Sequence, residues 1–148
     1  MAVALRIEVV WSDEDVAEVR VSAFNGRFAG QVDAYVARGR LTQVATDLEG
    51  FPRKAGDSRN VIIGAFGPEC AGGAARLRFL CVDPAGHARF DAELEAEAHD
   101  TAFEGRRECA RVMVRFELAA FDRFVAQLKS VAARDHGFAE LQAVEGAV

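Results

Sequence analysis

The chain has 148 residues, 51% of them apolar and 28% charged, and a formal net charge of −5. That length buries a real core without covalent staples, so residues 1–148 are expected to form one domain, and the composition excludes a disordered chain. The acidic balance argues against a nucleic-acid binder, which presents a basic surface, and it fits a basic partner better.

Residues 3–12 alternate as a strand, with Leu5, Ile7, Val9 and Trp11 on one side and Arg6, Glu8 and Val10 on the other. After the polar turn at Ser12-Asp13-Glu14-Asp15, Val16 to Phe24 sets Ala17, Val19, Val21 and Ala23 against Glu18, Arg20 and Ser22. Asn25-Gly26 is a strong hairpin signal, and Phe28 to Val36 supplies a third strand with Phe28, Val32, Ala34 and Val36 in register. The period then changes. Leu41, Val44, Ala45 and Leu48 recur at helical spacing, and Gly50 and Pro52 stop the run, which predicts a helix over 39–49.

Arg53 to Asn60 reads as an exposed loop, and Val61 to Phe66 as a short central strand. Gly67 to Gly73 is a glycine-rich loop. The chain is then organised around a hairpin from Ala74 to Ala98, whose arms meet at Asp83-Pro84-Ala85-Gly86. Leu77, Phe79 and Cys81 of the first arm and Ala88, Phe90, Ala92 and Leu94 of the second must share a buried face. Opposed residue numbers therefore sum to 169, pairing Phe79 with Phe90 inside and Arg78 with Asp91 and Arg76 with Glu93 outside. A glycine bulge at Gly86 would instead favour 170, which puts arginines on the apolar face. Burial is expected to override that turn preference.

Arg107 to Leu118 forms a long strand, with Ala110, Val112, Val114 and Phe116 inward and Cys109, Arg111, Met113 and Arg115 outward. Phe121, Phe124, Val125, Leu128, Val131 and Ala132 mark an amphipathic helix over 119–134, its first turn helped by Asp122. From His136 onward only Phe138 and Leu141 offer contacts back to the core. The order is βββα, four strands, then α. This predicts an α+β fold with one antiparallel sheet of about seven strands and two helices packed on one face.

No motif of comparable strength carries chemistry. Gly64-Ala65-Phe66-Gly67 and Ala71-Gly72-Gly73 lack the Lys-Ser/Thr ending of a phosphate loop, and turns explain them better. His87, Arg89 and Asp91 share a strand face that Glu93, Glu95 and Glu97 continue, but a solvated outer face explains that pattern better than a metal site. Cys109 stands outward between Arg107 and Arg111, which would favour a thiolate, yet no histidine sits beside it in sequence. No catalytic, cofactor-binding or metal-ligating residue is expected. Cys70, Cys81 and Cys109, odd in number and without a C-x-x-C pair, read as reduced thiols of a cytoplasmic protein. No basic stretch followed by an apolar one opens the chain, and no apolar run approaches the roughly 18 residues of a span, so neither export nor a membrane partner is expected. Arg76, Arg78, Arg89, Asp91, Glu93, Glu95, Glu97, Arg111 and Arg115 form the candidate interaction face, most simply a charge ladder on adjacent strands.

The Asp83-Pro84-Ala85-Gly86-His87-Ala88-Arg89-Phe90 turn and the alternating acidic strand after it belong to a wider pattern. With the Leu41–Pro52 helix ending Leu-Glu-Gly-Phe-Pro and the closing Phe121-Asp122-Arg123-Phe124 helix, they resemble a group of small bacterial α+β proteins. That group includes the immunity proteins of contact-dependent, wall-associated toxin systems. The resemblance implies a non-enzymatic, protein-binding module with a cognate protein toxin as partner, and it carries over no catalytic residue. The other reading is a small-molecule-binding protein or small enzyme with a pocket between the sheet and the helix at 39–49, lined by Trp11, Tyr35 and Phe51.

Overall fold

The structure, a computed structural model, describes residues 2–68, 70 and 72–144. Strands β1 (Val3–Ser12), β2 (Val16–Phe24) and β3 (Ala29–Ala37) form a meander, followed by helix α1 (Arg40–Leu48). Strands β4 (Ser58–Gly64), β5 (Ala74–Cys81), β6 (Ala88–Glu97) and β7 (Arg107–Phe116) come next, then helix α2 (Leu118–Arg134) and strand β8 (Gly137–Gln142). All strand pairs are antiparallel, but they make two four-stranded sheets rather than one sheet of seven. The first runs β3-β2-β1-β8 and the second β4-β5-β6-β7. Alternation fixes which face of a strand is buried but does not say which strands are neighbours. The break falls at α1, where the chain leaves β3 and starts a new sheet at β4.

One continuous core joins the inner faces of both sheets and the apolar stripes of both helices. Leu5, Ile7, Val19, Val21 and Ala34 are buried from the first sheet; Leu77, Phe79, Phe90, Ala92 and Val112 from the second. The helices pack on each other, and α2 also lies along β8. From α1, Leu41, Val44, Ala45 and Leu48 point inward, the spacing the sequence predicts. Phe121 and Phe124 of α2 meet the Phe79 ring at centroid distances of 5.1 and 6.5 Å. Asp122 lies past the first turn of α2, which has no acidic residue, so it does not act there.

The central hairpin keeps the 169 register along its whole length, with Phe79 opposite Phe90, Arg78 opposite Asp91 and Arg76 opposite Glu93. The turn satisfies this by local bonding. Val82 N–H donates to His87 O at 2.7 Å, Gly86 N–H to Asp83 O at 3.1 Å, and the Asp83 carboxylate accepts from Ala85 N–H at 3.0 Å. Burial decides the register, as expected.

Elsewhere the pattern misplaces several residues. β1 bulges between Val9 and Trp11, so Trp11 pairs with Glu18 and turns outward, 51% exposed. One extra residue flips every later side chain. Phe28 precedes β3 and is exposed. β4 starts at Ser58, inside the expected loop, and sits at a sheet edge rather than in the centre. The tail forms β8, which pairs with β1 through Leu5↔Leu141 and Ile7↔Ala139. Side chains cap the exposed strand edges: Arg40 donates to Ile62 O of β4 at 2.6 Å, and Gln127 accepts the Glu140 N–H of β8 at 2.8 Å.

Arg59 closes the end of α1. Its Nη1 donates to the Asp47 and Glu49 carbonyls at 2.9 and 3.0 Å, while Nη2 holds Asp57 Oδ2 at 3.0 Å. The Arg59 hydrogen bond, helped by the Arg53 N–H, holds the Asp57 carboxyl below the usual carboxylate range. A depressed carboxyl adds stability that is present above the unfolded value of about 3.9 and is lost as pH falls through the folded value. Asp57→Asn should therefore be less stable than the parent at pH 7, and the gap should narrow as pH drops below about 3.9. Urea titrations across that range check it, and a constant gap would break the link.

Candidate interaction face

The outer face of the second sheet carries the charged residues singled out from the sequence, and its register sets them in rows. One row across β4–β7 is Ser58, Leu80, Arg89, Arg115; the next is Asn60, Arg78, Asp91, Met113; the third is Ile62, Arg76, Glu93, Arg111. A fourth holds Gly64, Ala74, Glu95 and Cys109, and Glu97 stands opposite Arg107.

This face is divided in two. At the Glu95 end, the loop after β4 folds across it. Arg76 stacks over the Phe66 ring at 4.8 Å, Gly67 N–H donates to Glu95 at 3.1 Å, and Ala74 is fully buried. Arg107 lies beside Glu95 at 3.3 Å with only 11% of its side chain exposed. The Glu95 carboxylate is thus held by the Gly67 N–H and Arg107, with 27% of its side chain exposed. Arg76 and Glu93, paired at 2.7 Å, form the boundary.

The other half is open. Arg78, Leu80, Arg89, Asp91, Arg111, Met113 and Arg115 line a shallow concavity of about 660 Å³. Four guanidinium groups here face a single carboxylate. Arg111 takes that carboxylate from the side, its Nε 3.0 Å from Asp91 Oδ1. Arg78 stands directly opposite Asp91, yet the side chains of Arg78, Arg89 and Arg115 make no ion pair or hydrogen bond among the described residues. Arg89 also stands directly opposite Arg115. Like charges so placed destabilise a sheet. The charge ladder expected from alternation therefore holds for Arg76 and Arg111 and fails for the other three.

The first sheet differs. There Arg20 holds Asp33 at 2.8 Å, and Arg6 reaches both Glu8 at 3.3 Å and Glu140 at 3.4 Å. Both of its outer-face arginines are paired.

Leu80 and Met113, which the charge pattern passes over, form the apolar floor between the arginines. Both stand at outward positions of their strands, and Met113 is 61% exposed. The β2–β3 turn reaches the same strand, where Asn25 Nδ2 donates to Met113 O at 3.3 Å.

The remaining candidates do not assemble. His87 precedes β6, and its Nδ1 lies 2.7 Å from Asp83 Oδ2 in the turn, so its ring is engaged there and not with Arg89 or Asp91. Trp11 and Tyr35 are exposed, while Phe51 is buried 5.1 Å from the Phe121 ring, so the three line no common pocket. The crevice beside α1 measures about 10 Å³. A groove of about 410 Å³ between β3 and the end of β6 holds Glu18, Asp33, Tyr35 and His99, and the Glu18 carboxylate pushes the Tyr35 hydroxyl above its usual range. No cluster of metal-ligating residues occurs among the described residues, and no helix there is long and apolar enough to cross a membrane.

Compared with known proteins, the chain matches no family model, no curated protein and no solved structure.

Two measurements test this geometry. A double-mutant cycle on Arg111 and Asp91 should give a favourable coupling of about 0.2–1 kcal/mol that salt weakens, whereas Arg78 and Asp91 should couple less. The reverse order would place the Asp91 carboxylate on the wrong arginine. Cys109 is exposed and Cys81 buried, so mild alkylation of the native protein should modify Cys109 first. Equal protection of both thiols would contradict the assignment of strand faces.

Proposed function

We propose that the protein is a non-enzymatic binding module that docks a partner protein on the outer face of its second sheet. The specific form proposed is an immunity-type protein that holds and neutralises a cognate toxin. One observation carries the reading: Arg89 and Arg115 stand opposed, with Arg78 one row away, and all three lack an internal counter-charge. An arrangement that costs folding stability is explained when a partner supplies the missing charge. Arginines around a floor of leucine and methionine also match the enrichment of arginine and methionine at interface centres. The net charge of −5 points to a basic partner only if charge is spread evenly, and this face is its exception.

Co-expression with the products of adjacent reading frames tests the toxin reading. One of them should arrest growth alone, be tolerated in the presence of this protein, and co-purify with it. If no neighbour is toxic, or none is relieved, the immunity reading falls.

A further inference from the structure

The arginine cluster also specifies what the partner must present. We propose that the concavity at Arg78, Arg89 and Arg115 is a carboxylate-recognition site for a short acidic segment of a partner protein, part-filled in the free state by the protein's own Asp91. This rests on the reading of this face as the docking surface, and it names the chemistry of the occupant.

Asp91 shows how the site takes a carboxylate. Its two oxygens lie 3.0 and 3.1 Å from Arg111 Nε, and Nη2 completes the fork, the side-on geometry in which guanidinium groups bind carboxylates best. One carboxylate neutralises one of four arginines, and three stay open around Leu80 and Met113. Arg89 and Arg115 stand directly opposite each other, and since the Cβ atoms of such pairs lie about 5 Å apart, their long side chains can turn to one incoming carboxylate together.

Charge complementarity selects a short acidic peptide over a longer polyanion. The chain as a whole carries −5, so a nucleic-acid backbone leaving the patch would run over a repelling surface. A few adjacent Asp or Glu side chains place their charge only where the arginines are. The apolar floor suits the methylene stems of those side chains.

The test uses the full chain and a fluorescein-labelled decapeptide of glutamate, read by anisotropy at about 50 mM and 150 mM salt. The parent should bind it, more weakly at higher salt. Arg89→Gln with Arg115→Gln should lose at least about tenfold in affinity, the order expected when two charge-assisted contacts go. The same variant should melt no lower than the parent, because the repulsion between the opposed arginines is gone. Asp91→Asn should bind several-fold tighter, since it removes the competing carboxylate. Arg123→Glu, an exposed position on α2, changes net charge without touching the face and should bind like the parent. Absence of binding by the parent, equal loss in Arg123→Glu, or weaker binding by Asp91→Asn would overturn the site. Tighter binding of a ten-residue oligothymidine than of the peptide would overturn the choice of a protein segment. None of these outcomes depends on a toxin, so failure here and failure of the immunity reading are separable.

Discussion

Phe79→Ala should lower the free energy of unfolding by about 3–5 kcal/mol, the cost of removing a buried phenyl ring from a closed core. Phe79 is fully buried on β5. The rings of Phe90 and Phe116 lie at 6.0 Å, Phe121 at 5.1 Å and Phe124 at 6.5 Å. It therefore ties β5 to β6, β7 and α2 at once. The cavity left behind is lined by other rings and by backbone held in the ladder, which limits collapse. Against a typical total of about 5–15 kcal/mol, this is a large share of the whole. Phe79→Leu retains much of the volume and should recover a good part of the loss. Phe28, another phenylalanine near a strand, is 56% exposed, and Phe28→Ala should stay within about 0.5 kcal/mol of the parent. Urea denaturation followed by circular dichroism measures all three. A Phe79→Ala loss under 1 kcal/mol would show that the core is not centred on that ring.

The aromatic centre was legible before the structure, because Phe79, Phe90, Phe116, Phe121 and Phe124 all fall on the inward phase of their own elements. The hairpin register was legible for the same reason: only one phase buries Leu77 and Leu94 together while leaving Arg76 and Arg78 outside. What the sequence does not carry is pairing between distant strands. Gly137–Gln142 is six residues long, and its partner is β1 at the other end of the chain, so no local turn announces it. The division into two sheets is hidden likewise, since the inward residues of seven strands serve one sheet or two equally well. Trp11 fails through a bulge, which adds a residue without altering composition.

The candidate site was legible to the level of a face and no further. Alternation places Arg78, Arg89, Asp91, Arg111 and Arg115 on one surface, but Asp91 has arginines within reach on both neighbouring strands. Register names the residue opposite, Arg78; the side chain goes diagonally to Arg111. One carboxylate leaves three of the four arginines open with either partner, and the diagonal choice decides which: Arg78, Arg89 and Arg115, the opposed pair and its neighbour one row away. Glu95 keeps the outward phase that alternation gives it, but its bond to the Gly67 N–H is not legible, because a loop's path over a sheet has no period to read.

The same loop supplies the second large effect. Gly64→Ala should cost about 3 kcal/mol or more, because two separate penalties meet at one residue. Gly64 ends β4 with φ at +85°, where an L side chain costs about 1–2 kcal/mol. A Cβ there would also lie 2.4 Å from Gly73 O and 2.9 Å from Ala34 Cβ. The nearer atom is backbone, and the Gly73 N–H is itself bonded to Asp33 O at 2.8 Å, tying the loop to the edge of β3. The carbonyl cannot retreat without loosening that link between the two sheets. Gly56 isolates the two penalties: its φ is +84°, but nothing lies within 4 Å of its Cβ position. Gly56→Ala should therefore show the backbone cost alone, about 1 kcal/mol. The excess for Gly64→Ala over Gly56→Ala measures the contact. Adding Ala34→Gly to Gly64→Ala should recover little of it, since the Gly73 carbonyl remains. Equal losses at the two glycines would mean that β4 and the Gly73 strand entry can separate at no cost, and that the junction between the sheets is not held there.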